Sequence, residues 1–441
     1  MDIKTEIKDF SEKLLNEINN RIHIVSHFDA DGITSAAILS KTFERYGVQF
    51  STKIIKNLTK KEIDLFPKNK TIILLDLGSG SLGALEESKN KIFIIDHHEI
   101  NKDIELKNVI ILNPKLLNET EDLCSAELTY LVSEKISNDN KDLSAIAVLG
   151  MVGDVIEKIG RIRNDIIKKA DVRIKKGLLI YPSTRPLDKS LEYNSRIFIP
   201  GVTGNSKGIA ELLKEAGIEK VGKVYKSLID LNEEEMRAIT TAVMLRLPFK
   251  EASKHIGNLY TIKLFNKIED AREVSAMINA CSRMDEAETA LLLCLGNSQA
   301  RKKAERLYIK YKQQIISGLK CIENNENLNG REYVIINAKN KIKDTLIGTL
   351  ASILSFSSIY KEGTIIITMA YNKEIIKVSA RVVGRNSSRN LKEFLDSIIK
   401  ILGRGESGGH KYAAGCNIFM DDEERFIELI QRYLEYEVIK V

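Results

Sequence analysis

Short runs of isoleucine and leucine, each closed by polar residues, mark the first third of the chain. Ile22-His23-Ile24-Val25, Ile72-Ile73-Leu74-Leu75, Ile92-Phe93-Ile94-Ile95 and Val109-Ile110-Ile111-Leu112 show little alternation of apolar and polar positions. Short stretches that are apolar on both faces predict buried strands of a parallel sheet. Between and around them lie segments of helical character: 1–20, Ile33–Tyr46 opened by Gly32, 124–137 and 142–152. Regular alternation of strand and helix from residue 22 to about 155 predicts a βαβ series. The fold class expected is therefore α/β, with a doubly wound, mainly parallel sheet at the N-terminal end.

From about 156 to 260 the pattern turns mainly helical and basic, with Lys168-Lys169 and Lys175-Lys176. It is broken by the turn-rich stretches Tyr181–Pro186 and Pro200–Asn205. Residues 270–320 predict two amphipathic helices, the second (about 298–320) basic at Arg301, Lys302, Lys303 and Arg306. The polar stretch Glu323–Gly330 marks a boundary. A smaller α/β unit follows: strand 332–337, helix 342–356, strands 364–370 and 374–383, helix 390–402, a glycine-rich loop and a last helix, 422–438. These breaks divide the chain into 1–172, a helical insert at 173–329, and 330–441.

Composition narrows the class. Hydrophobic residues at 43% and charged residues at 29% describe a globular, not a disordered, chain. The net charge of +6 is compatible with a polyanionic partner without demanding one. Cys124, Cys281, Cys294, Cys321 and Cys416 are scattered and form no CxxC pair. That argues against a disulfide framework or a zinc ribbon and suits a reducing cytoplasm. The charged start of the chain is unlike a signal peptide, and no apolar run reaches ~18 residues. A cytoplasmic protein without a membrane span is expected.

Chemistry gathers at the strand ends. His27-Phe28-Asp29-Ala30-Asp31-Gly32 follows the first run, Asp76 the second and Asp96-His97-His98 the third, while Gly150-Met151-Val152-Gly153-Asp154 closes a helix. In open α/β sheets the carboxyl ends of the strands meet at one crevice. So much like charge in one place calls for divalent cations. Taken singly, Asp29 or Asp154 reads as a helix cap or turn residue, and His23 as a structural strand histidine. The set reads differently, because three of the six histidines stand at strand ends beside carboxylates. Mixed carboxylate and imidazole ligands suit Mn²⁺ better than Mg²⁺. Two such ions at roughly 3.5–4 Å can activate a water and hold the entering and leaving oxygens of a phosphoryl centre.

A second constellation lies at Leu402–Gly415, the glycine-densest run of the chain. Close-set glycines let backbone N–H groups approach an anion, and His410 and Lys411 add charge, with Arg381 and Arg385 nearby in sequence. The 14 Tyr and 13 Phe are dispersed, and none stands out as a platform for base stacking.

In order and spacing, Ser26-His27-Phe28-Asp29-Ala30-Asp31-Gly32, Asp76, Asp96-His97-His98 and the run ending at Asp154 resemble the four motifs of the DHH phosphoesterase family. The resemblance implies one cation on His27, Asp29 and Asp76, and another on Asp31, Asp76, His97 and Asp154, with Asp76 bridging. It also implies that His98 contacts the substrate phosphate and that Asp96 orients the histidines. The cofactor implied is a pair of Mn²⁺ ions, with Mg²⁺ or Co²⁺ as alternatives. The glycine run resembles the Gly-Gly-Gly-His loop of the family's DHHA1-type substrate-binding domain. That implies phosphate binding at Gly408, Gly409, His410 and Lys411, with Arg381 and Arg385. Ser407 stands in place of the first glycine, and because serine tolerates positive φ poorly the loop should differ there.

The insert's Ile199–Gly204, Asp270-Ala271-Arg272-Glu273 and Asn279-Ala280-Cys281-Ser282-Arg283 resemble archaeal RecJ-like single-strand exonucleases. Among these is the nuclease that associates with the GINS replication complex. The resemblance implies an exonuclease on single-stranded DNA or RNA, working in replication or repair, with its active site in the inter-domain cleft. GINS and the replicative helicase are the protein partners it points to. A phosphodiesterase of short oligonucleotides or small nucleotides, and a replication scaffold, are the alternatives.

Overall fold

The computed structural model of the chain describes residues 2–439 apart from 101–103, 105, 118–120, 155–159, 181, 193–196, 198, 248–254, 325, 357–358 and 385–388, with side chains described as far as 435. It forms two compact units, one of Met1–Asn194 with Ile199–Tyr308, the other of Ser195–Phe198 with Ile309–Val441.

In the first unit β1 (Ile22–His27), β2 (Phe50–Ile55), β3 (Thr71–Leu75), β4 (Ile92–Ile95) and β5 (Val109–Leu112) make one parallel sheet in the order β2-β1-β3-β4-β5. Around it come α1 (Ile3–Leu15), α2 (Ala30–Arg45), α3 (Lys60–Asp64), α4 (Leu82–Leu85), α5 (Ser125–Ile136), α6 (Ser144–Gly153) and α7 (Arg161–Lys169). Alternate side chains of each strand point to opposite faces, and here both sets are apolar. Ile24, Ile73, Leu75, Phe93 and Ile95 pack with Phe10 of α1, Leu39 and Phe43 of α2, and Leu128 of α5. Val25, Ile72, Leu74, Ile92 and Ile94 pack with Ile63 of α3 and Leu82 and Leu85 of α4. Two covered faces make the sheet doubly wound, as the unbroken apolar runs imply. The pattern gave no sign of β2, because Ser51, Thr52 and Lys53 interrupt it. It is an edge strand, partly exposed, and needs no apolar run.

The insert departs from the mainly helical expectation. The helices Leu187–Glu192, Ser206–Glu215 and Glu233–Met244 are present. With them are β6 (Arg173–Leu178), a small hairpin of β7 (Lys220–Val221) and β8 (Val224–Tyr225), and β9 (Ile256–Leu264) with β10 (Lys267–Asp270). An antiparallel sheet of order β10-β9-β6 results. The basic pair Lys175-Lys176 sits in β6, where Lys175 Nζ donates to the carbonyl oxygens of Ile229 and Leu231. A strand whose partner lies far along the chain and whose own pattern is charged leaves no local trace. Beyond β10 there are three helices in place of the expected two: Ala271–Arg283, Ala287–Cys294 and Ser298–Glu323. The break after the first is fixed by Asp285 in the left-handed region, φ 62°.

The second unit holds β11 (Leu328–Asn329), β12 (Tyr333–Asn337), β13 (Ile365–Asn372), β14 (Ile375–Val382), β15 (Glu406–His410) and β16 (Ala413–Phe419) in the order β11-β12-β13-β14-β16-β15. The helices Leu391–Leu402 and Glu423–Ile439 cover one face through Phe394, Leu395, Ile398, Phe426 and Ile430. The helix Asp344–Ser355 packs on β13 and β14. The expected glycine-rich loop is in large part the edge strand β15. Gly408 pairs with Gly415 and Gly409 with Ala414, and small residues on both sides let the strands lie close. Ser407 is extended, and its hydroxyl donates to Asp396 Oδ1 at 2.6 Å. Positive φ falls instead on Gly405 (116°) and Gly409 (128°), so the missing glycine at 407 demands no left-handed residue.

One buried ion pair fixes the start of α5. Arg163 and Glu127 are each 1% exposed and make two contacts of 2.7 Å, Nε to Oε1 and Nη2 to Oε2. Glu127 Oε2 also accepts from the backbone N–H of Cys124 at 2.9 Å. Arg163→Met should destabilise the protein by about 3–5 kcal/mol, because it strands a buried carboxylate. Adding Glu127→Gln to that variant should recover part of the loss, as read by urea unfolding followed by circular dichroism.

Candidate metal centre

The switch of strand order between β1 and β3 opens a crevice at their carboxyl ends. His27 ends β1, and Asp29 caps α2: its Oδ1 accepts from Gly32 N at 3.0 Å while its Oδ2 lies 3.1 Å from His27 Nδ1. Asp29 thus caps the helix with one oxygen and leaves the other turned to His27. Gly32 is required by closeness, since a Cβ there would lie 2.3 Å from the His27 carbonyl oxygen. Asp76 follows β3 in the left-handed region, φ 58°. Holding a non-glycine residue there costs roughly 1 kcal/mol or more, and such strain gathers at functional sites. It brings Asp76 Oδ2 to 3.1 Å from His27 Nδ1.

After β4 the carboxylate of Asp96 folds back on its own chain. It accepts from the backbone N–H groups of Ser79 (2.9 Å), His97 (2.8 Å) and His98 (3.3 Å), and meets His98 Nδ1 at 2.7 Å. With that turn fixed, His97 Nε2 lies 3.5 Å from Asp76 Oδ1, 3.6 Å from Asp154 Oδ2 and 3.8 Å from Asp31 Oδ2. Gly150 and Gly153 allow α6 to come this near. A Cβ at 150 would stand 2.9 Å from Asp31 Oδ1, and one at 153 would stand 2.7 Å from Ala30 Cβ and from Ser275 Oγ.

Two contributors were not singled out from the sequence. The N-terminus of α5 grips Asp31: Ser125 N donates to Oδ2 at 2.8 Å and Ala126 N to Oδ1 at 2.9 Å. The Ser125 hydroxyl also donates to Asp76 Oδ1 at 3.0 Å. In addition, Asn279 Oδ1 accepts from Ala30 N at 3.0 Å, tying the helix Ala271–Arg283 to the motif that bears Asp29 and Asp31. Asn279 lies in a motif quoted above, but Ser125 shows only as the start of a helix. His23 is structural, its Nδ1 2.8 Å from Ser51 Oγ.

Among the described residues, candidate ligand atoms form three overlapping triads, each within 4.8 Å: His27, Asp29 and Asp76; Asp31, His97 and Asp154; and Asp76, His97 and His98. The floor is closed, with Asp31 and Asp76 side chains 2% and 1% exposed, while Asp29, Asp154 and His98 at 38%, 30% and 43% form an open rim. Buried carboxylates and imidazoles converging on an open mouth fit divalent cations.

Without a cation, protons take up the repulsion. Burial and the neighbouring Asp76 push the Asp31 carboxyl well above its ordinary range. Burial also lifts Asp154, to about 6, against the pull of His97. For His97 burial acts downward but is outweighed by Asp76, Asp31 and Asp154, which raise it to about 10. His27 is likewise raised, Asp29 and Asp76 overcoming its burial. Asp76 is held low despite burial by His27 and His97. The hydrogen bond to Asp96 raises His98.

The second constellation lies in the other unit. Gly408, Gly409 and His410 belong to exposed β15, and exposed Lys411 begins the turn to β16. Arg381 lies on β14 and donates to Ser352 Oγ (3.0 Å), Ser379 Oγ (3.1 Å) and the Ala380 carbonyl (2.8 Å). Arg385 lies outside the described residues.

Groups whose folded pKa is raised, such as His97, add stability below about 6.5 that is lost as pH climbs towards about 10. The Tm of chelator-treated protein should therefore fall over that window, and the gain in Tm from saturating Mn²⁺ should grow with pH, as scanning calorimetry would show. Ser125→Ala keeps the backbone grip on Asp31 but removes the hydroxyl from Asp76. By titration calorimetry it should weaken Mn²⁺ binding by about 10–100-fold.

Family models match three stretches of the chain. Residues 21–153 match the DHH family N-terminal domain, 180–256 the DHH-CID domain and 331–436 the DHHA1 domain. An uncharacterized protein of Methanocaldococcus jannaschii is 24% identical over 447 residues, covering 98% of this chain and 97% of that one. The fold is similar to RecJ of Thermus thermophilus in complex with Mn²⁺, with TM-score 0.61 and 18% identity over 97% of this chain. The chain spans 54% of that RecJ's length. It is also similar to CDC45 of Entamoeba histolytica, with TM-score 0.66 and 12% identity over 96% of this chain and 98% of that one. With three matched domains in this order over more than half of its length, the chain belongs to the DHH phosphoesterase family.

Proposed function

We propose that the protein is a Mn²⁺-dependent exonuclease that removes nucleotides from one end of single-stranded DNA or RNA. The observation that carries this reading is Asp76, whose carboxylate faces His27 on one oxygen and His97 on the other. In this reading His27, Asp29 and Asp76 hold one cation, and Asp31, Asp76, His97 and Asp154 hold the other. Bound divalent cations supply Lewis acidity at the phosphoryl oxygens and lower the pKa of water.

The protein's own groups do the rest. Asp96 orients the His98 ring and raises its pKa, which favours the charged form able to donate to an oxygen of the phosphate under attack. The N-terminus of α5 keeps Asp31 aimed at the cations. Residues 1–172 are the catalytic domain, 173–329 the connecting insert and 330–441 the substrate-binding domain. There Gly408, Gly409, His410, Lys411, Arg381 and Arg385 take a backbone phosphate. Single-stranded nucleic acid is the main partner, and the likeness to the GINS-associated nuclease extends the proposal to GINS.

Asp31→Ala and Asp76→Ala should keep the native circular dichroism and lose at least about 10²-fold in turnover, since even groups behind the ligands act on that scale. The test is degradation of end-labelled single-stranded DNA and RNA in Mn²⁺, with each end blocked in turn. Cleavage of dinucleotides alone would replace the reading with a small-nucleotide phosphodiesterase. Undiminished turnover in either variant would exclude the ligand set.

A further inference from the structure

Phe28 stands between two of the proposed ligands, His27 and Asp29, where β1 turns into α2. Its ring is only partly buried and joins neither of the apolar clusters that cover the two faces of the sheet. It meets the His27 imidazole edge-to-face, with centroids 5.0 Å apart and an interplanar angle of 80°. Lys56, one residue beyond the end of β2, holds its Nζ 6.0 Å from the ring centroid. That ammonium also pairs with Asp285 Oδ1 at 2.9 Å, and both partners are exposed, at 48% and 67%. The carboxyl ends of β1 and β2 thus place an aromatic ring, with an exposed cation over it at 6.0 Å, beside the crevice.

A ring that keeps part of its surface open beside the proposed ligands has a face to offer. Aromatic faces and neighbouring cations are what single-stranded nucleic acids bind, through stacking of unpaired bases and contact with phosphate. An ion pair as exposed as Lys56–Asp285 contributes little, so a phosphate oxygen can replace Asp285 at small cost. We propose that Phe28 and Lys56 form a nucleobase step beside the metal centre, with a base of the bound strand stacked on Phe28 and an adjoining phosphate on Lys56. The proposal rests on the single-strand reading above and names where that strand meets the centre.

The test compares fluorescent oligothymidylate with its fully abasic counterpart, which keeps the backbone and lacks the bases. Binding is read by fluorescence anisotropy with Ca²⁺ in place of Mn²⁺. Phe28→Ala should weaken binding of oligothymidylate by about tenfold and leave the abasic strand unchanged, while Phe28→Tyr should restore wild-type binding. Lys56→Met should weaken both strands alike and flatten the salt dependence by about one phosphate contact. Equal losses on both strands in Phe28→Ala, or no loss on either, would overturn the step. Strand binding without cleavage in Mn²⁺ would sink the exonuclease reading alone, and absence of strand binding would sink both.

Discussion

Repulsion among carboxylates drawn to one point is the constraint around which the first unit is arranged. Asp31, Asp76 and Asp154 all face the imidazole of His97 within 3.8 Å, and two of the three are almost wholly buried. Two like charges about 4 Å apart cost roughly 4 kcal/mol at an effective dielectric of about 20. A domain's whole stability is only about 5–15 kcal/mol, so the cluster cannot stand as bare charge. Protons on His27, His97 and Asp31 are one remedy, and divalent cations in the same pocket are the other. The two compete, which couples cation loading to proton release.

Much of the hold on these carboxylates comes from backbone N–H groups. Asp31 is held by two N–H groups at the start of α5, and that start is braced by Glu127 with buried Arg163. Asp96 spends its acceptor capacity on three N–H groups and one histidine, and so sets where His97 and His98 stand. Glycines at 32, 150 and 153 let helices approach where any side chain would collide. Donors fixed in advance are what a site needs if charge is to gather there without reorganisation.

The fold is similar to those of a RecJ and of a CDC45, so fold alone does not assign a reaction. What sets this chain's chemistry apart from its fold is the filled set of carboxylates and imidazoles at the switch of strand order, with the partly buried Phe28 beside it. Local details count as well: Ser407 sits in an extended strand, so a change from the family pattern there leaves the shape of β15 intact.

The doubly wound sheet was legible in the residues alone, because a strand covered on both faces must be apolar throughout, and four runs were. The convergence of charged side chains was legible too, since strand ends are where a parallel sheet can present them, and His27, Asp29, Asp31, Asp76, His97, His98 and Asp154 do gather there. Tertiary structure alone decided what depends on distant partners. It put a sheet in the insert, where β6 meets β9 across some eighty intervening residues and its lysines hide the pairing. It turned the glycine run into an edge strand and singled Phe28 out from the dispersed aromatics. It also brought Ser125 onto Asp31 and Asp76, contacts 94 and 49 residues apart in sequence, where no periodicity can register. Periodicity reports which face of an element is covered; the atoms that cover it are chosen by the packing of the whole chain.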